Sequence, residues 1–187
     1  MEGFLQAFNR LSLHTDAARQ DLQIRLRSRS FEKGDCLLKS GAICRNLYFV
    51  DNGLVKTGFA TGDKTFIMRF FPENNLFTVL DSFTTQAPSF YEIVALEPTT
   101  VTYIEQADLE VLCRKHHCIE TAFRKLLAFA TVNMMKRISE MLEENATERY
   151  NHFLKDQGML LQRISLGDLA NYLGITQVSL SRIRSKK

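Results

Sequence analysis

The residues best suited to chemistry lie in the run RISLGDLANYLGITQVSLSRIRSKK, from Arg163 to Lys187. Ser165 can cap a helix there, with Asp168 three positions on to complete a capping box. Leu166, Leu169, Ala170 and Leu173 fall on one face of that helix at helical spacing. Gly174 supplies a tight turn, because a residue without Cβ takes positive φ cheaply. Ile175 fills the angle, and Thr176 can cap a second helix that turns Leu180 and Ile183 inward. Gln177, Val178, Ser179 and Arg182 are left facing out. A helix of this kind matches the width of a DNA major groove. An ordinary helical hairpin would share the apolar spacing, so charge must separate the two. Ala146 to Lys187 holds seven Lys+Arg against three Asp+Glu, a surplus of +4. The whole chain has 24 against 21, which leaves 17 against 18 for residues 1–145. The surplus cations gather in the C-terminal unit, as a phosphate-binding surface requires.

The elements that must hold this unit are legible in outline. Residues 1 to about 30 read as helical, with Arg25, Arg27 and Arg29 as a solvated charged face or a second phosphate patch. From Ser30 to about Glu105 the texture is β. Short runs such as Leu47–Val50, Leu54–Phe59, Thr65–Phe71, Tyr91–Leu96 and Thr100–Ile104 lie between regularly spaced turn signals. Asn52-Gly53 between two of these runs reads as a hairpin. An apolar stripe of Ile119, Phe123, Leu126, Leu127, Ala130, Met134, Ile138, Met141 and Leu142 predicts a long helix from Cys118 to about Asn145. At about 28 residues it is roughly 42 Å long. That exceeds the need of one small domain, so part of the stripe is expected to meet a second copy of the chain. Another helix should run from Thr147 to Gln157 and stop at Gly158.

The expected class is therefore α+β: an N-terminal jelly roll or small barrel over residues 1–117, a dimerisation helix over 118–145, and a C-terminal helix-turn-helix over 146–187. Composition fits a globular protein, with 45% hydrophobic and 24% charged residues. No apolar run reaches the ~18 residues of a membrane span, and the N-terminus lacks the features of a signal peptide. Four cysteines without such a signal point to reduced thiols in a cytoplasm.

The order β-roll, long helix, helix-turn-helix resembles the Crp–Fnr family of bacterial transcription regulators over nearly the whole chain. Phe31-Glu32-Lys33-Gly34-Asp35, Ser40-Gly41 and Leu47 to Gly53 are similar to the family's β-roll opening, and Leu173 to Arg184 to its recognition helix. Glu148-Arg149-Tyr150 with His152-Phe153-Leu154 most resembles the Bacteroidetes branch. The resemblance implies a β-roll sensor domain and a winged helix-turn-helix. It also implies a homodimer on double-stranded DNA, with Gln177, Val178 and Arg182 against bases. Arg182 suits guanine, Gln177 suits adenine or guanine, and Val178 stands where relatives commonly carry a glutamate that reads cytosine. Thr176, Ser179, Arg184, Lys186 and Lys187 would hold phosphates. Any wing should use strands near Leu161 to Ser165.

The resemblance also raises cyclic-nucleotide sensing, and the residues argue against it. Phe70 to Leu112 contains no Lys or Arg but seven acids, and no glycine lies between Asp63 and Gln157. A phosphate pocket needs a cation, or backbone N–H groups that glycine brings close. Phe77, Phe83, Phe90 and Tyr91 form either an apolar effector pocket or plain β-roll core. A cupin-type metalloenzyme lacks its ligands, because none of the four histidines (His14, His116, His117, His152) lies in the β region. Cys113, His116, His117 and Cys118 sit at a helix junction where convergence is difficult. Cys36 and Cys44 are too few for an iron–sulfur sensor. No enzyme, metal or cofactor is expected. The competing class is a ligand-binding or protein-interaction module carrying a vestigial helix-turn-helix.

Overall fold

The computed structural model describes residues 1–185. Lys186 and Lys187, expected phosphate contacts, lie outside the described residues. Two helices open the chain, α1 Glu2–Leu11 and α2 Asp16–Gln23, the second capped by the Thr15 side chain. Eight strands follow: β1 Arg27–Phe31, β2 Cys36–Leu38, β3 Asn46–Asn52, β4 Val55–Thr61, β5 Lys64–Phe71, β6 Leu76–Phe77, β7 Glu92–Ala95 and β8 Thr99–Glu105. A short helix, α3 Leu80–Thr85, interrupts them between β6 and β7. Five elements close the described chain: α4 Gln106–Lys115, α5 His117–Glu143, α6 Ala146–Gln157, α7 Leu166–Leu173 and α8 Gln177–Ser185, with a 3-10 helix Gly158–Gln162 before α7.

The strands form two four-stranded antiparallel sheets, in the orders β1-β8-β3-β6 and β2-β7-β4-β5. Leu47 to Val50 of β3 are all buried. One face of that strand meets the roll interior, and α1 lies near the other, with Phe4 and Phe49 edge-on at 6.3 Å. This explains a continuous apolar run in an antiparallel sheet, where alternation is usual.

Three expectations need correction. Asn52-Gly53 is not a hairpin: β3 and β4 belong to different sheets. Gly53 has φ 98°, and the chain turns a corner there from one sheet to the other. A Cβ would fall 2.7 Å from the Pro98 carbonyl oxygen, so only glycine fits. The true two-residue hairpin joins β4 to β5, where Thr61 pairs with Lys64 around Gly62-Asp63. Second, the helical reading of residues 1–30 runs too far. The alternation of Arg27 and Arg29 with serines has period two, and it belongs to strand β1. Arg27 there is paired with Glu105, Arg25 just before the strand is paired with Asp108, and the Arg29 guanidinium lies 4.8 Å from the Phe31 ring centre. Third, no wing strand forms at Leu161 to Ser165; the segment is 3-10 helix and turn, folded over the buried Leu160.

The apolar residues form two clusters. The larger fills the roll and seats Ile119 and Ala122 of α5. The smaller joins Leu54, Ile67 and Phe70 of the roll to Tyr150, Phe153, Leu160, Leu169, Ala170, Tyr172, Leu173 and Leu180. The C-terminal helices thus complete their core with residues of the second sheet.

Candidate functional site

The helix pair is built as its local chemistry predicts. Ser165 Oγ accepts from Asp168 N at 3.0 Å and donates to Asp168 Oδ2 at 2.7 Å. The reciprocal half of the capping box is replaced, because Asp168 Oδ1 accepts from Lys56 Nζ of β4 at 2.6 Å. Gly174 ends α7 in the left-handed region at φ 67°, and Ile175 N donates back to Ala170 O at 3.0 Å. That six-to-one bond is the Schellman closure. Thr176 Oγ1 then accepts from Ser179 N at 3.1 Å and starts α8.

Leu180 is fully buried and Ile183 is half-buried, whereas Thr176, Gln177, Val178, Arg182 and Arg184 are exposed. Ser179 is half-buried beneath them, 3.0 Å from Thr176 Oγ1. No ion pair among the described residues engages Arg182 or Arg184. One face of α8 is pinned to the core, and the other presents an amide, an aliphatic group and two free guanidinium groups to solvent.

Two arginines that sequence reasoning missed hold the pair in place. Arg137 of α5 donates to the Tyr172 carbonyl, with its guanidinium 4.1 Å from the Tyr172 ring centre. Arg149 of α6 donates to Leu173 O at 3.0 Å and to Glu144 O. Both cations sit at the negative end of α7, where the carbonyls lack helical partners. Arg163 is the third tie. It bonds Glu73 at 2.7 Å and pairs also with Glu97, both on the roll. The guanidinium holds the Glu73 carboxyl down at about 2, and the two carboxylates push the Arg163 pKa up. Arg149 and Arg163, counted in the basic surplus, are thus spent inside the protein. The signal that could have found them is their setting: each lies next to a helix end, not on an outward helical face.

A cavity of about 620 Å³ opens between the roll, α5 and α6. Phe77 and Tyr91 line it. Phe83 does not; it is buried and packs edge-on against Phe123 at 6.0 Å. Phe90 does not either. It is 55% exposed on the outer surface, 4.9 Å from Phe59. The four aromatics therefore do not form one pocket.

The segment Thr78 to Tyr91 closes on itself. Ser82 Oγ accepts from Cys44 N at 2.9 Å and donates to Ala87 O at 2.6 Å. Ser89 Oγ accepts from Tyr91 N at 2.9 Å, and Gln86, at φ 55°, donates to Phe83 O at 2.7 Å.

The cysteine and histidine cluster is dispersed. His116 Nε2 contacts Asp21 at 2.6 Å, His117 is 93% exposed, and burial pushes the Cys113 thiol up to about 11. Among the described residues no three His, Cys, Asp or Glu side chains stand close enough to hold a metal. No helix of the described residues is long and apolar enough to cross a membrane.

The arrangement agrees with known proteins. A cyclic nucleotide-binding domain model matches residues 28–116. The fumarate and nitrate reduction regulatory protein of Vibrio cholerae is 30% identical over 175 residues, covering 86% of this chain and 68% of that protein. FixK2 of Bradyrhizobium japonicum shares the fold with a TM-score of 0.77 at 18% identity, over 86% of this chain and 83% of its own. The c-di-GMP-responsive regulator CLP of Xanthomonas campestris does so with a TM-score of 0.73 at 15% identity, over 92% and 91%. A β-roll, a long helix and a helix pair in this order, with a relative of that similarity over most of both chains, place this protein in the Crp–Fnr family of transcription regulators.

Proposed function

We propose that the protein is a DNA-binding transcription regulator that acts as a homodimer on a near-palindromic operator. The observation that carries this reading is the outer face of α8. Gln177, Val178, Arg182 and Arg184 are exposed there while Leu180 anchors the helix from behind. Arg182 would donate to guanine O6 and N7, Gln177 would read an adenine or guanine edge, and Val178 would touch a thymine methyl. Thr176, Ser179, Arg184 and the terminal Lys186 and Lys187 would contact phosphates.

Dimerisation is supported by α5. Phe129, Val132, Met135, Ile138 and Leu142 are 53–81% exposed along it. Water contact along so regular an apolar line is costly, and a second copy would relieve it. Division into a roll (1–117), a dimerisation helix (118–145) and a DNA-reading unit (146–187) follows from these roles. Two recognition helices would then enter successive major grooves about 34 Å apart.

The protein is not proposed to respond to cyclic nucleotides. The segment between Arg69 and Arg114 offers no cation, and the Ser82, Ser89 and Gln86 side chains are committed to internal bonds. The cavity beneath α5 is proposed as the effector site, with Phe77 and Tyr91 among its walls and Phe83 and Phe90 left out. The site of action is a cytoplasm, and the resemblance of the segment around Arg149 to the Bacteroidetes branch is retained as part of this reading.

Selection of bound fragments from a random DNA pool is the decisive experiment. A two-fold-symmetric consensus is expected; its absence would favour the ligand-binding module instead. Arg182→Ala should weaken specific binding by about 1–3 kcal/mol and relax one base position per half-site. A gel-shift series on operator variants reads this, and an unchanged positional profile removes Arg182 from base contact.

A further inference from the structure

We propose that the cavity binds an amphipathic organic anion, with its acidic head on Arg69 and its apolar tail along Phe71, Phe77, Phe123 and Leu127; this presupposes that the cavity is the regulator's effector site. Its volume, about 620 Å³, falls in the range of small-molecule sites. The roll side is apolar and deep: Leu47 is fully buried and Phe77 is 4% exposed. Such a wall favours a hydrocarbon or aromatic tail, which gains free energy in proportion to the apolar area it removes from water.

Charge selects the head group. Among the described residues, four Lys or Arg side chains line the cavity: Arg69, Lys136, Arg137 and Arg149. Three are committed. Lys136 lies 3.8 Å from both Glu140 and Asp156, and Arg137 and Arg149 hold the last carbonyls of α7. His152, also on the wall, is 2.9 Å from Glu144. Arg69 is the exception. It is half-buried on β5, and no hydrogen bond or ion pair engages its guanidinium among the described residues. A guanidinium half-removed from water without a partner is costly, and a carboxylate can satisfy it bidentately. Thr57, 7% exposed on the neighbouring strand and paired with Arg69 in register, adds a hydroxyl to the same wall. Asp81, the one carboxylate of α3 on the wall, is exposed to solvent. An anionic head therefore has one place to go.

The same cavity touches Phe153 of α6 and Tyr172 of α7, both members of the cluster that seats the DNA-reading unit. A ligand there makes contact with both halves of the molecule. Any preference it has for one arrangement of them must appear reciprocally in DNA affinity.

Equilibrium dialysis of the full chain tests the proposal with decanoate and 4-phenylbutyrate as probes, and with decan-1-ol, inorganic phosphate and cyclic AMP as controls. Saturable binding of at least one carboxylate at one per chain is expected, tighter than any control. Arg69→Gln should weaken that binding at least ten-fold without changing decan-1-ol binding, and Arg69→Lys should retain most of it. Melting curves of both variants, unchanged from the parent, ensure that the fold is intact. Neither carboxylate binding, equal binding of decan-1-ol, preference for cyclic AMP or phosphate, or no effect of Arg69→Gln would each overturn it. The random-pool DNA selection, run without any probe, stays independent, so loss of the effector reading leaves the DNA-reading function standing or falling by itself.

Discussion

The two apolar clusters differ in how they are assembled. The roll core draws on α1 to α4, seven strands and the start of α5, all within the first two thirds of the chain, and it is complete without the C-terminal helices. The second cluster is shared. Phe70 of β5 sits 5.3 Å from Tyr172 and 6.3 Å from Phe153, ring to ring, with Ile67 from the same strand and Leu54 from the corner before β4. The C-terminal helices span only about 40 residues, too few to bury a sufficient core alone. They borrow one from the roll, which fixes the direction in which α8 faces. What happens in the roll is then felt by the helix that would read DNA.

Truncation in each cluster is the strongest way to break this contrast. Phe70→Ala should cost about 3–5 kcal/mol and Ile104→Ala about 2–5 kcal/mol. Their consequences should differ. Among molecules still folded, Phe70→Ala should lower DNA affinity because it unseats Tyr172 and Phe153, whereas Ile104→Ala should not. Denaturant melts followed by far-UV circular dichroism, with DNA titrations well below the midpoint, separate the two. Equal DNA affinity of both variants would mean that the shared cluster does not orient α8.

A smaller effect is expected from the polar tie. Arg163→Met removes the bonds to Glu73 and Glu97 at a cost of about 1–3 kcal/mol, since both pairs are partly buried. The shift in denaturation midpoint measures it, and near-zero loss would assign orientation to the apolar contacts alone.

Acid sharpens the same point. Arg163 depresses the Glu73 carboxyl from its ordinary 4.5 to about 2 in the folded protein. A depressed carboxylate contributes stability that is fully present above its unfolded pKa and lost as pH falls through the folded one. The contribution should therefore fade between about pH 4.5 and 2. The parent should lose more stability across that window than Arg163→Met. Parallel acid titrations of the two would refute the tie.

The smallest effect belongs to the disordering of a charge pair. Lys56→Met should cost about 1 kcal/mol: the pair is partly buried, but Asp168 keeps its bond to Ser165 Oγ. A larger loss would make this ion pair a principal link between roll and helix pair.

Local chemistry was legible and long-range pairing was not. The Ser165 cap, the Gly174 turn, the Thr176 cap and the inward Leu180 depend on neighbours within a few residues, and all appear in the structure. Strands β3, β4, β5, β7 and β8 were visible from their β-branched and aromatic runs. Three short strands, β1, β2 and β6, were missed, because two to five residues, polar in β1, carry little apolar periodicity. Asn52-Gly53 signalled a change of direction correctly and its pairing wrongly: a positive φ permits a turn, and the other strands decide which sheet receives the chain. The exposed stripe on α5 was only half foreseen. Phe123 and Leu126 pack on the roll, while Phe129, Val132 and Met135 face solvent.

What the sequence determined by itself is the type and order of the main elements, the outward set Gln177, Val178 and Arg182, and the want of any cation from Phe70 to Leu112. These are properties of short segments and of composition, read through backbone preference and charge. Only the tertiary structure decided which cations are free. Arg137, Arg149 and Arg163 are indistinguishable from Arg69 and Arg182 as letters, but the first three meet carbonyls or carboxylates brought from 24 to 90 residues away. A charge acts through its partner, and partners at that distance are chosen by packing.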